Sequence, residues 1–255
     1  YLLDRQQVSR DLYNRQIDGI TQTFSKTMQR YAKLLQRELG LEKMTFADLK
    51  APLDPELDPE VEISEAIEDI DGALQIMGDE YHDKVMKFKD EGWVDFAQNI
   101  GKSTGGFCAS TVKTHPYILL SWTGRMSEVF TLAHELGHGA QDLYGIEHNL
   151  WTQASPSMYL VEAPSTMHEL LLARYLLEKH EDDPRLLRWV LDSMISKTYY
   201  HNFVTHLLEA DFQREVYRLV DQGENLGADD FDRLTRESLE RFWGDAVEIE
   251  AGAER

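Results

Sequence analysis

Val129-Phe130-Thr131-Leu132-Ala133-His134-Glu135-Leu136-Gly137-His138 is the stretch on which the fold turns. Its apolar lead-in predicts a buried helix rather than a solvated one. At 3.6 residues per turn, residues four apart share a face, so His134 and His138 can aim their imidazoles at one point. Histidines so placed, with a glutamate directly after the first, form a zinc pair with Glu135 as candidate general base. A chance His-Glu-x-x-His in a chain this long is expected in roughly 1% of cases. Glu162, 24 residues past His138 and expected near the start of the next helix, is the candidate third ligand. Three protein ligands plus a water describe a catalytic rather than a structural zinc site, so the expected cofactor is one Zn2+ ion.

The surrounding sequence leaves alternatives for the third ligand, because Glu147, Glu169 and Glu178 also follow within reach. Glu147 follows Gly145 in an expected loop. Glu162 and Glu169 are seven apart, two helical turns, and face the same way. The earlier would bind metal and the later could accept a hydrogen bond from a ligand histidine. Gly137 and Gly139 stand mid-helix, where each costs about 1 kcal/mol relative to alanine. Something is therefore expected to approach that backbone closely. For substrate or transition-state contacts, His115, His148, His168, His180, His201 and His206, with Tyr199, Tyr200 and Tyr217, are all available, and spacing singles out none.

Outward from this stretch, Leu2 to Leu39 reads as helix throughout. Apolar positions recur every three to five residues from Leu2 to Leu39, with Gly40 as a stop. A proline-rich connection, 50–60, leads to a second helical stretch, about Ser64 to Glu91, with Ser64 as N-cap. Two short strands follow, Gly105 to Val112 and Tyr117 to Trp122, the only convincing β-structure in the pattern. Helices are then expected at about 126–144, 157–179, 183–222 and 229–242. The expected class is mainly α: a multi-helix, zincin-like catalytic domain with a small β-sheet beside the active-site cleft, its zinc-binding core at about 101–180.

Composition sets the outer limits. The 255 residues are 42% apolar and 28% charged, ordinary for a soluble globular chain. A formal net charge of −20 disfavours nucleic acid and anionic membrane as partners. The longest apolar runs are too short for a membrane span. The single cysteine, Cys108, excludes an internal disulfide framework and fits a reducing compartment, so a cytoplasmic protein is expected. Cys108 lies in an apparent strand, with a packing role expected.

Three motifs in order now carry a resemblance: Thr114-His115-Pro116-Tyr117-Ile118-Leu119-Leu120, then Val129 to His138, then Glu162-Ala163-Pro164-Ser165-Thr166. Together with Gly223-Glu224 and Trp243-Gly244-Asp245-Ala246-Val247-Glu248, they resemble the thimet oligopeptidase family (family M3) of zinc peptidases, most closely its bacterial oligoendopeptidase F branch. The resemblance places the metal on His134, His138 and Glu162 and the base on Glu135. It implies a mostly helical, two-lobed fold around a channel for short peptide substrates. It also sets Gly105, Gly106 and Phe107 beside the cleft, where the strand could pair with an extended peptide or serve as an ordinary core strand. Family members are about twice this long. Residues 1–255 are therefore expected to be part of one catalytic domain. The family's N-terminal lobe and C-terminal His/Tyr-rich segment would lie in the remainder of a parent polypeptide, and the piece alone would turn over weakly. Against this zinc endopeptidase stand a zinc carboxypeptidase of similar build, for which no arginine is marked out, and a catalytically impaired peptide-binding fragment.

Overall fold

The computed structural model describes residues 2–253, which fall into two compact units: 2–55 with 195–253, and 56–194. The chain is mainly helical with one small sheet among the described residues. No helix among them is long and apolar enough to cross a membrane.

The first unit opens with α1 (Leu2–Arg5) and α2 (Arg10–Glu38). The helix expected from Leu2 onward is thus interrupted. Gln7 takes a left-handed φ of 58°, and Ser9 starts a new helix by accepting the Leu12 amide on its hydroxyl. Apolar positions recurring every three to five residues did not reveal this, because so loose a spacing admits the five-residue step from Leu3 to Val8, which an α-helix would not keep on one face. Ile17, Met28, Tyr31, Ala32 and Leu35 form the buried stripe of α2, within a core that includes Leu207, Leu239, Phe242 and Trp243. A parallel bridge joins Thr45 to Glu248 in the same unit.

The second unit holds α3 (Ile63–Leu74), α4 (Asp79–Met86), α5 (Phe88–Glu91), β1 (Val94–Asp95), β2 (Gly106–Ala109), β3 (Tyr117–Leu120), α6 (Met126–His148), α7 (Glu162–Lys179) and α8 (Pro184–Ser193). The helix expected over 64–91 is three, broken by a 3-10 turn at Gln75–Met77 and by Gly78. Glu62, not Ser64, holds the N-cap position of α3. The sheet has the order β1-β3-β2. β2 and β3 pair antiparallel, with Gly106 opposite Leu120 and Cys108 opposite Ile118. β1, which the pattern did not reveal, pairs parallel to β3; two residues are too few to show alternation.

α6 runs to His148, so Glu147 is helical rather than in a loop, and it pairs with Lys84. Its first turn is closed by Glu128, which accepts the Thr123 amide at 2.6 Å and the Arg125 amide at 3.2 Å. α7 begins at Glu162 rather than 157. Pro164 is tolerated only in a first turn, which sets the start just ahead of it. Leu132, Ala133 and Leu136 of α6 and Leu172, Ala173 and Leu176 of α7 lie in one buried core with Ile118 and Leu120 of β3. The expected core of about 101–180 lies wholly within this unit.

Beyond α8, 183–222 is not one α-helix. Two π-helical segments, Met194–Tyr199 and His201–Thr205, precede α9 (His206–Asp221), and α10 (Ala228–Trp243) closes the first unit.

Candidate metal and catalytic site

α6 passes α7 closely at the residues of interest. A Cβ built on Gly137 would stand 2.6 Å from both the Pro164 carbonyl oxygen and the Ser165 Cα. One at Gly139 would meet the Pro116 ring at 3.2 Å. The glycines expected to admit a neighbour therefore admit the start of α7 and the loop before β3. This close approach sets Glu162, the first residue of α7, beside the two histidines of α6.

The result is a small triangle. His134 Nε2 lies 3.2 Å from Glu162 Oε2, His138 Nε2 lies 3.2 Å from the same oxygen, and the two Nε2 atoms are 3.2 Å apart. Donor atoms about 2.0–2.1 Å from a four-coordinate ion stand about 3.3 Å from one another. The triangle therefore has the size that one ion needs. Among the described residues, His134, His138 and Glu162 form the one group of three whose ligand atoms converge for a metal. The histidine side chains are 25% and 17% exposed and Glu162 is 53% exposed, so the triangle opens to solvent on one side.

Each corner is held from behind. Glu169 Oε1 accepts from His134 Nδ1 at 2.7 Å, which leaves Nε2 for the triangle. The Ser165 hydroxyl lies 2.7 Å from Glu162 Oε2 and 3.0 Å from the Glu162 carbonyl oxygen. Ser165 is fully buried, and no role for it was read from the sequence. The available signal was a serine three residues after a helix-opening glutamate, one turn along the same face. His168, also on α7, places Nδ1 3.1 Å from the Ala133 carbonyl oxygen and Nε2 2.6 Å from the Tyr81 hydroxyl. That link depends on α4, remote in sequence, and had no local signature.

The electrostatics follow from burial and from this cluster of carboxylates. Burial lowers the pKa of His134, but the Glu169 hydrogen bond and the charges of Glu169, Glu135 and Glu162 outweigh it, and the net shift is upward. His138 shifts down, because burial dominates over Glu162. Burial raises the Glu135 carboxyl above its ordinary range, with His134 opposing and Glu162 and Glu169 adding to the rise. His168 is pushed down to about 4, chiefly by burial, and Tyr81 up to about 12 for the same reason. Both are thus neutral near pH 7: Tyr81 donates to His168 Nε2, and His168 Nδ1–H donates to Ala133.

The Glu135 side chain lies against β2. A Cβ on Gly106 would lie 3.2 Å from Glu135 Oε1 and 2.8 Å from Thr131 Cγ2. Of the three strand residues singled out, Gly106 thus lies directly against the candidate base. Gly105 accepts the Ser121 amide at 2.9 Å, continuing the β2–β3 ladder, and Phe107 leaves its ring half exposed. Cys108 packs near Gly139. Burial, with Asp142 and Glu135 adding, pushes its thiol up to about 12, so it is a packed strand residue rather than a nucleophile.

A model of peptidase family M3 matches residues 4–253. The chromosomal oligoendopeptidase F of Lactococcus lactis subsp. cremoris is 28% identical over 240 residues, 93% of this chain and 39% of that protein. Oligopeptidase PepF of Bacillus subtilis is 27% identical over 91% of this chain and 35% of its own length. A solved structure from Chlamydophila abortus superposes with a TM-score of 0.86 at 25% identity, covering 99% of this chain and 42% of that one. The chain thus spans about two fifths or less of the curated relatives it matches.

Proposed function

This chain belongs to peptidase family M3, and from that membership we propose that it carries the zinc centre and general base of an endopeptidase that hydrolyses short oligopeptides. The observation that carries the reading is the 3.2 Å triangle of His134 Nε2, His138 Nε2 and Glu162 Oε2. Two imidazoles and one carboxylate are a donor set suited to zinc. When bound, the ion supplies a Lewis acid for the scissile carbonyl and a water of lowered pKa.

The chain's own groups do the rest. Glu169 fixes the His134 tautomer, and Ser165 holds Glu162 on the triangle. Glu135, one residue past His134 and off the ligand line, takes the proton of the attacking water and delivers it to the departing amine. A peptide lying along the outer edge of β2 would present its backbone beside that carboxylate, with main-chain pairing supplying orientation. Gly106, having no side chain, leaves the room that the Glu135 carboxylate occupies against the strand. The machinery is proposed as one part of a longer cytoplasmic peptidase, with the remaining substrate contacts in the rest of the polypeptide.

The test is metal content of the purified chain together with hydrolysis of a quenched fluorescent peptide, by the chain alone and by the parent polypeptide. One zinc per chain is expected. Glu135→Gln should keep the zinc and abolish hydrolysis, whereas His134→Ala should lose both. Retained hydrolysis in Glu135→Gln would overturn the mechanism. Substoichiometric metal after loading would overturn the centre itself.

A further inference from the structure

A second pair of histidines belongs to the unit formed by 2–55 and 195–253. His201 and His206 face each other with Nε2 atoms 3.1 Å apart and ring centroids 4.3 Å apart. Both residues are exposed. On the far side of the His206 ring, Nδ1 lies 3.2 Å from Glu209 Oε2.

What brings the histidines together is the backbone. Residues five apart on an α-helix diverge by about 140° around the axis. His201–Thr205 is π-helical, and the i to i+5 repeat of that geometry returns His206 over His201. π-helical turns are rare and concentrate at functional positions. This one converts two histidines that an α-helix would separate into a facing pair.

The geometry points to a second metal site here, one that binds a late first-row divalent ion such as Zn2+, Ni2+ or Cu2+ through His201 Nε2 and His206 Nε2. The separation suits one shared ion. Two nitrogens about 2.0–2.1 Å from a metal stand about 2.9 Å apart at a right angle and about 3.3 Å apart at the tetrahedral angle, and 3.1 Å falls between. Imidazole donors select these ions over magnesium and calcium. Glu209 does for His206 what Glu169 does for His134. By accepting the Nδ1 proton it leaves Nε2 as the lone-pair nitrogen and strengthens it as a donor. Metal uptake then requires that the His201 proton shift from Nε2 to Nδ1, an exchange that solvent can carry at an exposed position. Water completes the coordination, so the site is weaker than the three-residue centre. Because both ligands converge only in the π register, a bound ion also holds this segment in that register.

Calorimetric titration of the zinc-loaded chain with Ni2+ should show one further equivalent, and His201→Asn/His206→Asn should abolish it while keeping the zinc. Glu209→Gln should weaken it by about tenfold. With the three-residue centre removed by His134→Ala/His138→Ala, Cu2+ should still give an electron paramagnetic resonance spectrum with two coupled imidazole nitrogens. That spectrum should disappear when His201 and His206 are also replaced. A further equivalent that survives His201→Asn/His206→Asn, or a copper spectrum without two coupled nitrogens, overturns the site. These readouts are independent of peptide hydrolysis, so they stand or fall apart from the function proposed above.

Discussion

Glu169 Oε1 sits 2.7 Å from His134 Nδ1, on the opposite edge of the ring from the atom that faces Glu162. The carboxylate fixes which nitrogen is bare and makes it more basic. Glu169→Gln keeps an acceptor at this position but removes the charge, and should weaken zinc affinity by about tenfold. Glu169→Ala, which also frees the ring, should weaken it by up to about a hundredfold. Competition against a chromophoric chelator measures both, and unchanged affinity in Glu169→Ala would show that the contact is idle.

Gly137→Ala tests whether the meeting of α6 and α7 builds the site. The added methyl would stand 2.6 Å from the Pro164 carbonyl oxygen and the Ser165 Cα, backbone that cannot swing aside as a side-chain tip could. Alanine gains up to about 1 kcal/mol of helix propensity, but overpacking of this kind costs about 1–3 kcal/mol or more. The expected outcome is net destabilisation in chemical denaturation, together with weaker metal binding as Glu162 is pushed from the histidines. A more stable Gly137→Ala protein with full metal affinity would mean that the helices have slack here.

The parts of this protein that were legible in its sequence are those whose signal is local and periodic. His134 and His138 are four apart on one helix, and Glu162 and Glu169 seven apart on the next, so each pair declares its face. Gly137 and Gly139 declared a close approach without saying to what. Misread elements share a different cause. Gln7 interrupts the helix at a five-residue step between Leu3 and Val8 that a loose apolar spacing passes over, β1 is two residues long, and the π-helical turns keep an apolar pattern that passes for α. Ser165 and the Tyr81–His168–Ala133 link were invisible because they depend on the packing of α6, α7 and α4, which no local period encodes.

His168 should make stability depend on acid. Its imidazole is 2% exposed and its pKa is pushed down to about 4 from 6.5. As pH falls below about 6.5 the unfolded chain takes up a proton that the folded chain refuses, so folded stability declines until about pH 4 and then levels off. The share due to this residue is up to about 3 kcal/mol. His168→Gln can keep both hydrogen bonds, to Ala133 and Tyr81, while removing the titration. Denaturation midpoints at pH 7 and pH 5 should differ less for His168→Gln than for the parent sequence, and equal differences would exclude His168 as the source.

Gly106→Val separates the proposed base and its strand from the proposed metal centre. The new Cβ would fall 3.2 Å from Glu135 Oε1 and 2.8 Å from Thr131 Cγ2, and the valine methyls would extend further into the same space. Either β2 retreats from α6 or Glu135 is turned from its place. Neither movement touches His134 Nε2, His138 Nε2 or Glu162 Oε2, so zinc content should stay at one per chain. A base displaced by about 1 Å can lose about a hundredfold in rate, and kcat/KM for a quenched fluorescent peptide should fall by that order. If main-chain pairing along β2 also orients the substrate, KM should rise alongside the fall in kcat. Loss of zinc together with activity would instead mean that Gly106 supports the fold of the centre. Full activity would remove β2 from the proposed substrate path.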